Sequence, residues 1–153
     1  MGNEKKSTEA KLELSSNNGA DWVEITLPVL TVSEANGGVK KSYKRSGKTC
    51  YKSEHWTDKH RRHKRQKGLV RLMLTRYRDM LKLPCHITLT RFAPNTLDRH
   101  DNLPMSLKWI LDACCEIITG DYRAGRADND ERINVSYKQV VSKQYAVNIH
   151  ISF

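Results

Sequence analysis

The chain has 153 residues, with 27 lysines and arginines against 17 acidic residues, so its formal net charge is +10. This length predicts one compact domain with its own core. A surface so basic attracts polyanions, with nucleic acid as the leading partner and a membrane surface as the second. No apolar run approaches the roughly 20 residues of a spanning helix, so we expect no membrane insertion. The polar first dozen residues lack the apolar core of a signal peptide, which favours a cytoplasmic protein.

The cysteine content agrees with that location. The four cysteines form no C-x-x-C pair and no regular framework, and we expect reduced thiols: Cys50, Cys85, Cys114 and Cys115. A zinc site built from Cys50 and the histidines that follow it would have the spacing C-x4-H-x4-H-x2-H, which fits no familiar zinc pattern well.

Taken in chain order, the pattern begins with a polar segment, residues 1–21, whose lack of apolar spacing predicts a disordered tail. A single domain over residues 22–153 follows it. Alternation over residues 22–28 predicts a first strand that Pro28 ends. Residues 31–53 are rich in lysine and contain a Gly-Gly pair, which predicts a long, mobile basic loop.

The middle of the chain contains two helical patterns separated by a strand pattern. A helix is predicted over residues 56–82, with Thr57 or Asp58 as its cap and a polar first half that projects from the domain. Residues 85–92 alternate as a strand. A second helix is predicted over residues 103–118, where apolar residues recur at helical spacing.

The C-terminal part predicts a polar loop over residues 119–131 and then two alternating strands. These strands cover residues 133–139 and 145–153, and the short link between them predicts a terminal β-hairpin. The order of elements predicts an α+β fold: a mixed sheet of about four strands with two main helices packed on it.

Carboxylates gather in two of the predicted loops of this basic chain. A close acidic group would repel phosphate unless a divalent cation lies between, and this combination is typical of metal-dependent nucleases. Magnesium prefers oxygen ligands, usually one or two carboxylates with waters and substrate phosphate. The candidate ligands are Asp98, Asp101, Asp128 and Asp130. Asn102 can add a neutral oxygen, and Lys108 can stabilise charge on phosphate.

A simpler interpretation of the same carboxylates remains open. Asp98 or Asp101 can cap the helix that begins near Leu103. Asp128 and Asp130 can be ordinary turn residues before a strand. Spacing alone does not decide between ligands and caps.

The segment from Lys40 to Arg91 contains 17 lysines and arginines and only 3 acidic residues. Contacts from such a surface to phosphates would position DNA and make its binding strongly dependent on salt. The candidate DNA-binding residues are Lys40, Lys41, Lys44, Arg45, Lys48, Arg61, Arg62, Lys64 and Arg65. The alternative is a solvated basic face without a partner.

From about Ile25 to the C-terminus, the chain resembles the RusA family of Holliday-junction resolvases in its phage and prophage branch. The resemblance rests on Ile25-Thr26-Leu27-Pro28 with Asn36 downstream, on Ile87-Thr88-Leu89-Thr90-Arg91, on Asp101-Asn102-Leu103, on Lys108 with Asp112 at the spacing K-x-x-x-D, and on Asp128-Asn129-Asp130-Glu131-Arg132-Ile133. The terminal hairpin also matches.

The resemblance implies a bacterial or phage-encoded homodimer that cleaves four-way DNA junctions in recombination and repair. It implies a catalytic site that binds Mg²⁺, with Mn²⁺ as a possible substitute. Asp101 matches the aspartate before Asn, Lys108 matches the helix lysine, and Asp128 or Asp130 matches the aspartate before the third strand.

One position departs from the family pattern. Many relatives have an aspartate two residues before the Asp-Asn pair, where this chain has Arg99. Asp98 can take that role if the loop shifts by one residue, and His100 can also bind metal. The alternative function is therefore a non-catalytic DNA-binding protein, either a regulator or a resolvase homologue that has lost activity.

Overall fold

Apolar residues alternate along four strands, and a computed structural model shows that these strands form one sheet. The structure describes residues 21–34, 40–123 and 125–153, without the side chains of residues 40 and 41. In chain order its elements are β1 (Trp22–Leu27), β2 (Lys40–Arg45), β3 (Lys48–Ser53), α1 (Trp56–Leu74), a 3₁₀ helix (Thr75–Met80), β4 (Cys85–Ala93), α2 (Asn102–Thr119), a 3₁₀ turn (Ala127–Asn129), β5 (Ile133–Val141) and β6 (Ala146–Ser152).

The main sheet has the strand order β1-β6-β4-β5. The pair β4–β5 is parallel, while β6 runs antiparallel to both β4 and β1. This sheet with its two main helices confirms the predicted α+β class. The boundaries predicted for β1, β4, α2, β5 and β6 differ from those in the structure by at most two residues.

The pairing of the last two strands needs a correction. They are antiparallel and joined by a short link, as predicted, but β4 lies between them in the sheet. The link crosses the end of β4, where the Ser142 amide donates to the Ala93 carbonyl at 2.9 Å. Every second residue of β4 is buried, so a central position in the sheet suits this strand best. Both terminal strands therefore hydrogen-bond to β4 and not to each other.

The core lies between the sheet and the helices. Buried aliphatic side chains from β1, β4 and β6 meet one face of α2 and the C-terminal half of α1. The largest are Ile25, Leu27, Leu74, Ile87, Leu89, Leu103, Leu107, Ile110, Ile149 and Ile151. Each such side chain contributes about 1.5–3 kcal/mol on burial.

The predicted long basic loop is wrong over its second half, where β2 and β3 form an antiparallel hairpin. The two strands are joined by Ser46 and Gly47, which have φ angles of 49° and 75°. Positive φ at both turn residues is the type I′ geometry that suits the twist of a two-residue hairpin. The Ser-Gly dipeptide was the available signal, but the flanking strands lack the apolar alternation that marks a buried strand.

The first helix also differs from its prediction. Its α-helical part ends at Leu74, and a tighter 3₁₀ helix continues to Met80. The cap is His55, whose Nδ1 accepts from the Thr57 amide at 3.4 Å. The polar first half does not simply project, because His63 and Gln66 are buried.

Two features predicted from the sequence lie in residues that the structure does not describe. The predicted disordered tail lies almost wholly in residues 1–20, and the Gly-Gly pair lies in residues 35–39; both fall outside the described residues. In the part of the chain that is described, no helix combines the length and apolar character needed to cross a bilayer.

Candidate active site

Helix α2 carries alternating charges along one side. Lys108, Asp112 and Glu116 are spaced four residues apart, so they lie one above the other on the helix surface. Helix α1 packs against α2 and brings Lys67 and Arg71, which are also four residues apart, to the same side. This packing creates a row of charges that neither helix has alone.

The charges in this row are connected by short contacts between side chains. The Arg71 guanidinium donates to Glu116 at 2.7 Å, and the Lys67 ammonium donates to the other Glu116 oxygen at 2.9 Å. The Lys108 ammonium lies 3.2 Å from an Asp112 oxygen and 3.5 Å from an Asp128 oxygen. Because Asp128 comes from the 3₁₀ turn, Lys108 joins that turn to α2.

A cavity of about 460 Å³ opens beside this row. We call it the acidic cleft, since three carboxylates line it: Asp112, Glu116 and Asp128. The indole of Trp109 and the ring of Tyr122 contribute apolar wall. Trp109 is fixed from behind by the buried His63, whose ring stacks on the indole with centroids 4.2 Å apart.

The surroundings of Lys108 and Glu116 favour the charged form of each side chain. Partial burial lowers the pKa of Lys108, but the carboxylates of Asp112 and Asp128 outweigh it, so the net pKa lies above the usual value. Burial alone would raise the pKa of Glu116. The hydrogen bonds from Arg71 and Lys67 together outweigh this effect, so the net pKa lies below the usual value. Lys108 is therefore a cation and not a general base.

The structure assigns Asp98 a role in the loop before α2. Its carboxylate accepts from the amides of His100 at 3.1 Å and Asp101 at 3.3 Å, and from the Asn102 side chain at 3.4 Å. These hydrogen bonds lower the pKa of Asp98. The Ser33 hydroxyl donates to the Asn102 side-chain oxygen and so orients that amide. Asp98 therefore stabilises the loop that leads into α2, although the N-cap residue of this helix is Asp101.

The other predicted ligands occupy different surroundings. Asp101 is exposed at the start of α2 and makes no side-chain cap bond. It precedes Lys108 by seven residues, so it lies on the same side of the helix about 10 Å along the axis. Asp130 pairs with Arg132 at 2.7 Å, and this hydrogen bond lowers its pKa to about 2. Of the four predicted aspartates, Asp128 is the one that lines the acidic cleft.

The donor set of the cleft can be compared with the needs of Mg²⁺. Within the described ranges, no group of three or more His, Cys, Asp or Glu side chains is arranged to hold a metal. Magnesium, however, usually takes only one or two carboxylates, with waters and phosphate as its other ligands. Asp112 and Asp128 already share one cation, the Lys108 ammonium, and as a pair of carboxylates they fit that requirement.

No family model matches the chain. No curated protein matches it either. The resemblance to the RusA family therefore rests on the short sequence motifs alone.

The predicted DNA-binding residues lie on the β2–β3 hairpin and on helix α1. Lys44, Arg45 and Lys48 are exposed on the β2–β3 hairpin, where Tyr43 and Tyr51 are exposed beside them; Lys40 and Lys41 belong to β2. On α1, Arg61, Lys64 and Arg65 are exposed. Arg62 differs, because its side chain is only 11% exposed and pairs with Glu54 at 2.6 Å and with Glu34 at 3.3 Å.

The charged cleft residues Lys67, Asp112 and Glu116 were not predicted as site residues, although Asp112 was part of the K-x-x-x-D motif. The four-residue spacing of Asp112 and Glu116 after Lys108 was visible in the sequence. The contribution of Lys67 was not, because it depends on which face of α1 meets α2.

The thiols near the cleft are not candidates for catalysis. All four cysteines are unpaired. Burial, followed by the nearby carboxylates of Asp128 and Asp112, raises the pKa of Cys115 to about 12. A thiol with such a pKa is not a nucleophile at neutral pH.

Proposed function

We propose that the protein is a magnesium-dependent, structure-selective endodeoxyribonuclease that cleaves four-way DNA junctions in recombination or repair. The observation that carries this proposal is a lysine held between two carboxylates in a cleft of a strongly basic protein. A carboxylate pair suits a divalent cation, and the surrounding charge suits a polyanionic substrate. The resemblance to the RusA family supports the choice of a branched DNA substrate and a homodimer.

In this proposal Asp112 and Asp128 would hold Mg²⁺, with Asp101 two helical turns away as a further candidate. The bound ion would lower the pKa of a water molecule and offset charge on the scissile phosphate. Asp98 and Asp130 could bind the metal only if they gave up the hydrogen bonds that they now accept. Mn²⁺ is expected to substitute for Mg²⁺.

Lys108 stabilises charge on phosphate in this scheme. Its side chain is 43% exposed, so the ammonium can leave its carboxylates and reach a phosphate oxygen. A cation placed where negative charge develops stabilises the transition state more than the ground state. Trp109 and Tyr122 form apolar wall beside the reacting phosphate, and this wall limits the access of water.

The basic elements hold the DNA. Phosphate contacts from the β2–β3 hairpin and from α1 carry no sequence information, which suits an enzyme that selects a shape. A two-stranded β-ribbon also has the width that a DNA major groove admits. We place the reaction in the cytoplasm, where free thiols such as those of this chain are expected.

The direct test is incubation with a synthetic four-way junction in Mg²⁺ and in EDTA, with a linear duplex of the same sequence as control. We expect paired incisions near the branch point in Mg²⁺ only. The variants Asp128→Asn and Asp101→Asn should lose cleavage and retain junction binding, while the exposed Asp79→Asn serves as the matched control. Equal cutting of duplex and junction, or an undiminished rate in Asp128→Asn, would contradict the proposal.

A second function is favoured by a specific observation. Asp98 is engaged by backbone amides and Asp130 by Arg132, which leaves fewer carboxylates for a metal in the described residues. A non-catalytic DNA-binding protein would need none. Such a protein would bind the junction equally in Mg²⁺ and EDTA and give no product.

A further inference from the structure

A second cavity, of about 670 Å³, shares no lining residue with the acidic cleft. It is formed by residues 28–30 after β1, by one face of α1, and by residues 143–145 between β5 and β6. We call it the arginine-lined cavity, because α1 contributes Asp58, Arg61, Arg62, Arg65 and Gln66 at the spacing of a single helix face. Its volume is in the range of small-molecule sites.

The charge of this cavity favours an anion. Arg65 and Lys143 have no carboxylate partner among the described residues, and Arg61 is 80% exposed with only a 3.4 Å contact to Asp58. Arg62 is already neutralised by Glu34 and Glu54. Two to three cations at the cavity therefore remain available to a phosphate group.

The rest of the lining is apolar and aromatic. Pro28, Val29 and Leu30 line the cavity, and Tyr145, which is 39% exposed, contributes a ring. A nucleobase stacks well on an exposed aromatic side chain, whatever its sequence identity. The cations suit the phosphate of a nucleotide, and the aromatic, apolar surface beside them suits its base.

One buried polar atom indicates a ligand with a hydrogen-bond donor. Gln66 is only 3% exposed and lines the cavity. Its Nε2 donates to the Leu30 carbonyl at 2.7 Å, but its Oε1 has no partner in the described structure. A fatty acid or a bare phosphate ester cannot supply the missing donor, whereas the amino or imino group of a base can.

We propose that the arginine-lined cavity receives one unpaired nucleotide of a DNA strand. The base stacks on Tyr145 with its N–H edge towards Gln66, and the phosphate lies among Arg61, Arg65 and Lys143. A nucleotide at a branch point or bulge costs least to unstack, so this cavity selects branched over linear DNA. The inference rests on the proposed DNA substrate, but it does not depend on cleavage.

The test measures binding of the full chain, in EDTA, to three labelled DNAs by fluorescence anisotropy. One is a perfect duplex, one has a single-nucleotide bulge, and one has an abasic unit at the bulge that keeps the phosphate and removes the base. We expect the bulge to bind about tenfold more tightly than the abasic DNA, in line with one base stacked on an aromatic ring. Equal affinity for these two DNAs would overturn the proposal.

Variants assign the effect to this cavity. Tyr145→Leu should abolish the difference between bulge and abasic DNA and leave duplex affinity unchanged. Arg65→Gln should weaken binding of the bulge more than that of the duplex, and Arg76→Gln, an exposed arginine outside the cavity, should weaken both equally. A preference that survives Tyr145→Leu would place the base elsewhere.

A competition experiment with a free mononucleotide shows whether the cavity binds a nucleotide within a DNA strand or a free nucleotide. Deoxyadenosine monophosphate should compete with the bulged DNA only at concentrations far above the DNA affinity; equal affinity would assign the cavity to a free nucleotide instead. Loss of junction cleavage with this binding intact would count against the nuclease proposal alone.

Discussion

The Lys108 ammonium lies 3.5 Å from the Asp128 carboxylate, although the two residues are 20 positions apart and belong to different elements. The same ammonium lies 3.2 Å from Asp112. A lysine therefore occupies the position between two carboxylates that a divalent cation would also occupy. If Mg²⁺ binds there as proposed, it competes with Lys108 for one pair of carboxylates, and this competition can be measured.

Replacing Lys108 by methionine should lower the Mg²⁺ concentration needed for half-maximal cleavage, because the carboxylates lose their internal cation. The maximal rate should fall by about 100-fold, since one group that stabilises developing charge is removed. Cleavage rates over a Mg²⁺ titration measure both quantities. Lys138→Met, an exposed lysine on β5, is the control, and an unchanged Mg²⁺ requirement would separate Lys108 from the metal ligands.

Asp98 offers a test of loop stabilisation against metal ligation. Asn is about as good as Asp at accepting backbone hydrogen bonds at a helix start, but it is a poor replacement for a ligating carboxylate. We expect Asp98→Asn to retain both cleavage and melting temperature, and Asp98→Ala to lower the melting temperature. If Asp98→Asn removes cleavage and keeps the fold, Asp98 replaces the carboxylate that is absent at Arg99.

Much of the fold could be predicted because alternation and helical spacing are local properties of the sequence. Val23, Ile25 and Leu27 reveal a half-buried strand without knowledge of its partners. The β2–β3 hairpin was missed, since a ribbon outside the main sheet needs no apolar face and its lysines resemble those of a loop. The order of strands was equally hidden, because the burial of β4 at the centre depends on contacts with residues far away in the chain.

The candidate site was predictable only in part. Asp128 and Lys108 were identified as functional candidates, but their contact depends on how the 3₁₀ turn folds over α2. Asp98 and Asp130 looked equivalent to Asp128 in the sequence. They differ in the structure because local partners, backbone amides for Asp98 and Arg132 for Asp130, already satisfy them.

Glu116 should make stability depend on pH. Its side chain is 10% exposed and paired with two cations, so Glu116→Gln should cost about 1–3 kcal/mol of unfolding free energy at pH 7. The folded-state pKa of Glu116 lies below the usual value of 4.5. Its contribution is therefore present above pH 4.5 and is lost as pH falls through the folded-state pKa.

Urea denaturation at pH 7 and at pH 3 checks this expectation. The difference between wild type and Glu116→Gln should shrink at the lower pH. Glu131→Gln, an exposed glutamate, should show little difference at either pH. A constant deficit in Glu116→Gln would mean that shape, and not charge, accounts for the loss.

The exposed cations of α1 should control the salt dependence of DNA binding. Neutralising Arg61, Lys64 and Arg65 to glutamine removes up to three phosphate contacts, each of which contributes about 0.9 to the slope of log affinity against log salt. We expect a slope lower by about 2–3 and an unchanged melting temperature. Binding measured over a KCl series tests this, with Arg62→Gln as comparison.

Arg62→Gln should behave in the opposite way. Its guanidinium is already paired with Glu34 and Glu54, so the salt slope should change little and the melting temperature should fall. If the triple variant keeps the wild-type salt slope, the phosphate contacts would have to come from the β2–β3 hairpin and not from α1.

Two equivalent strands of a four-way junction are cut together most readily by a two-fold dimer. The apolar face of α2 does not provide the interface, because Leu107 and Ile110 are buried in the core of the monomer. Strand β5 is an edge of the main sheet, and Val140 and Val141 on it are 47% and 66% exposed, so we expect a homodimer through this edge.

Light scattering at micromolar protein, alone and with a junction, measures the assembly. Val141→Lys should favour the monomer, because a lysine on an edge strand opposes pairing with a second edge. Leu72→Lys, an equally drastic change at an exposed site on α1, should leave the dimer intact. A wild-type chain that is monomeric both free and on the junction would contradict paired incision and would favour the non-catalytic DNA-binding protein.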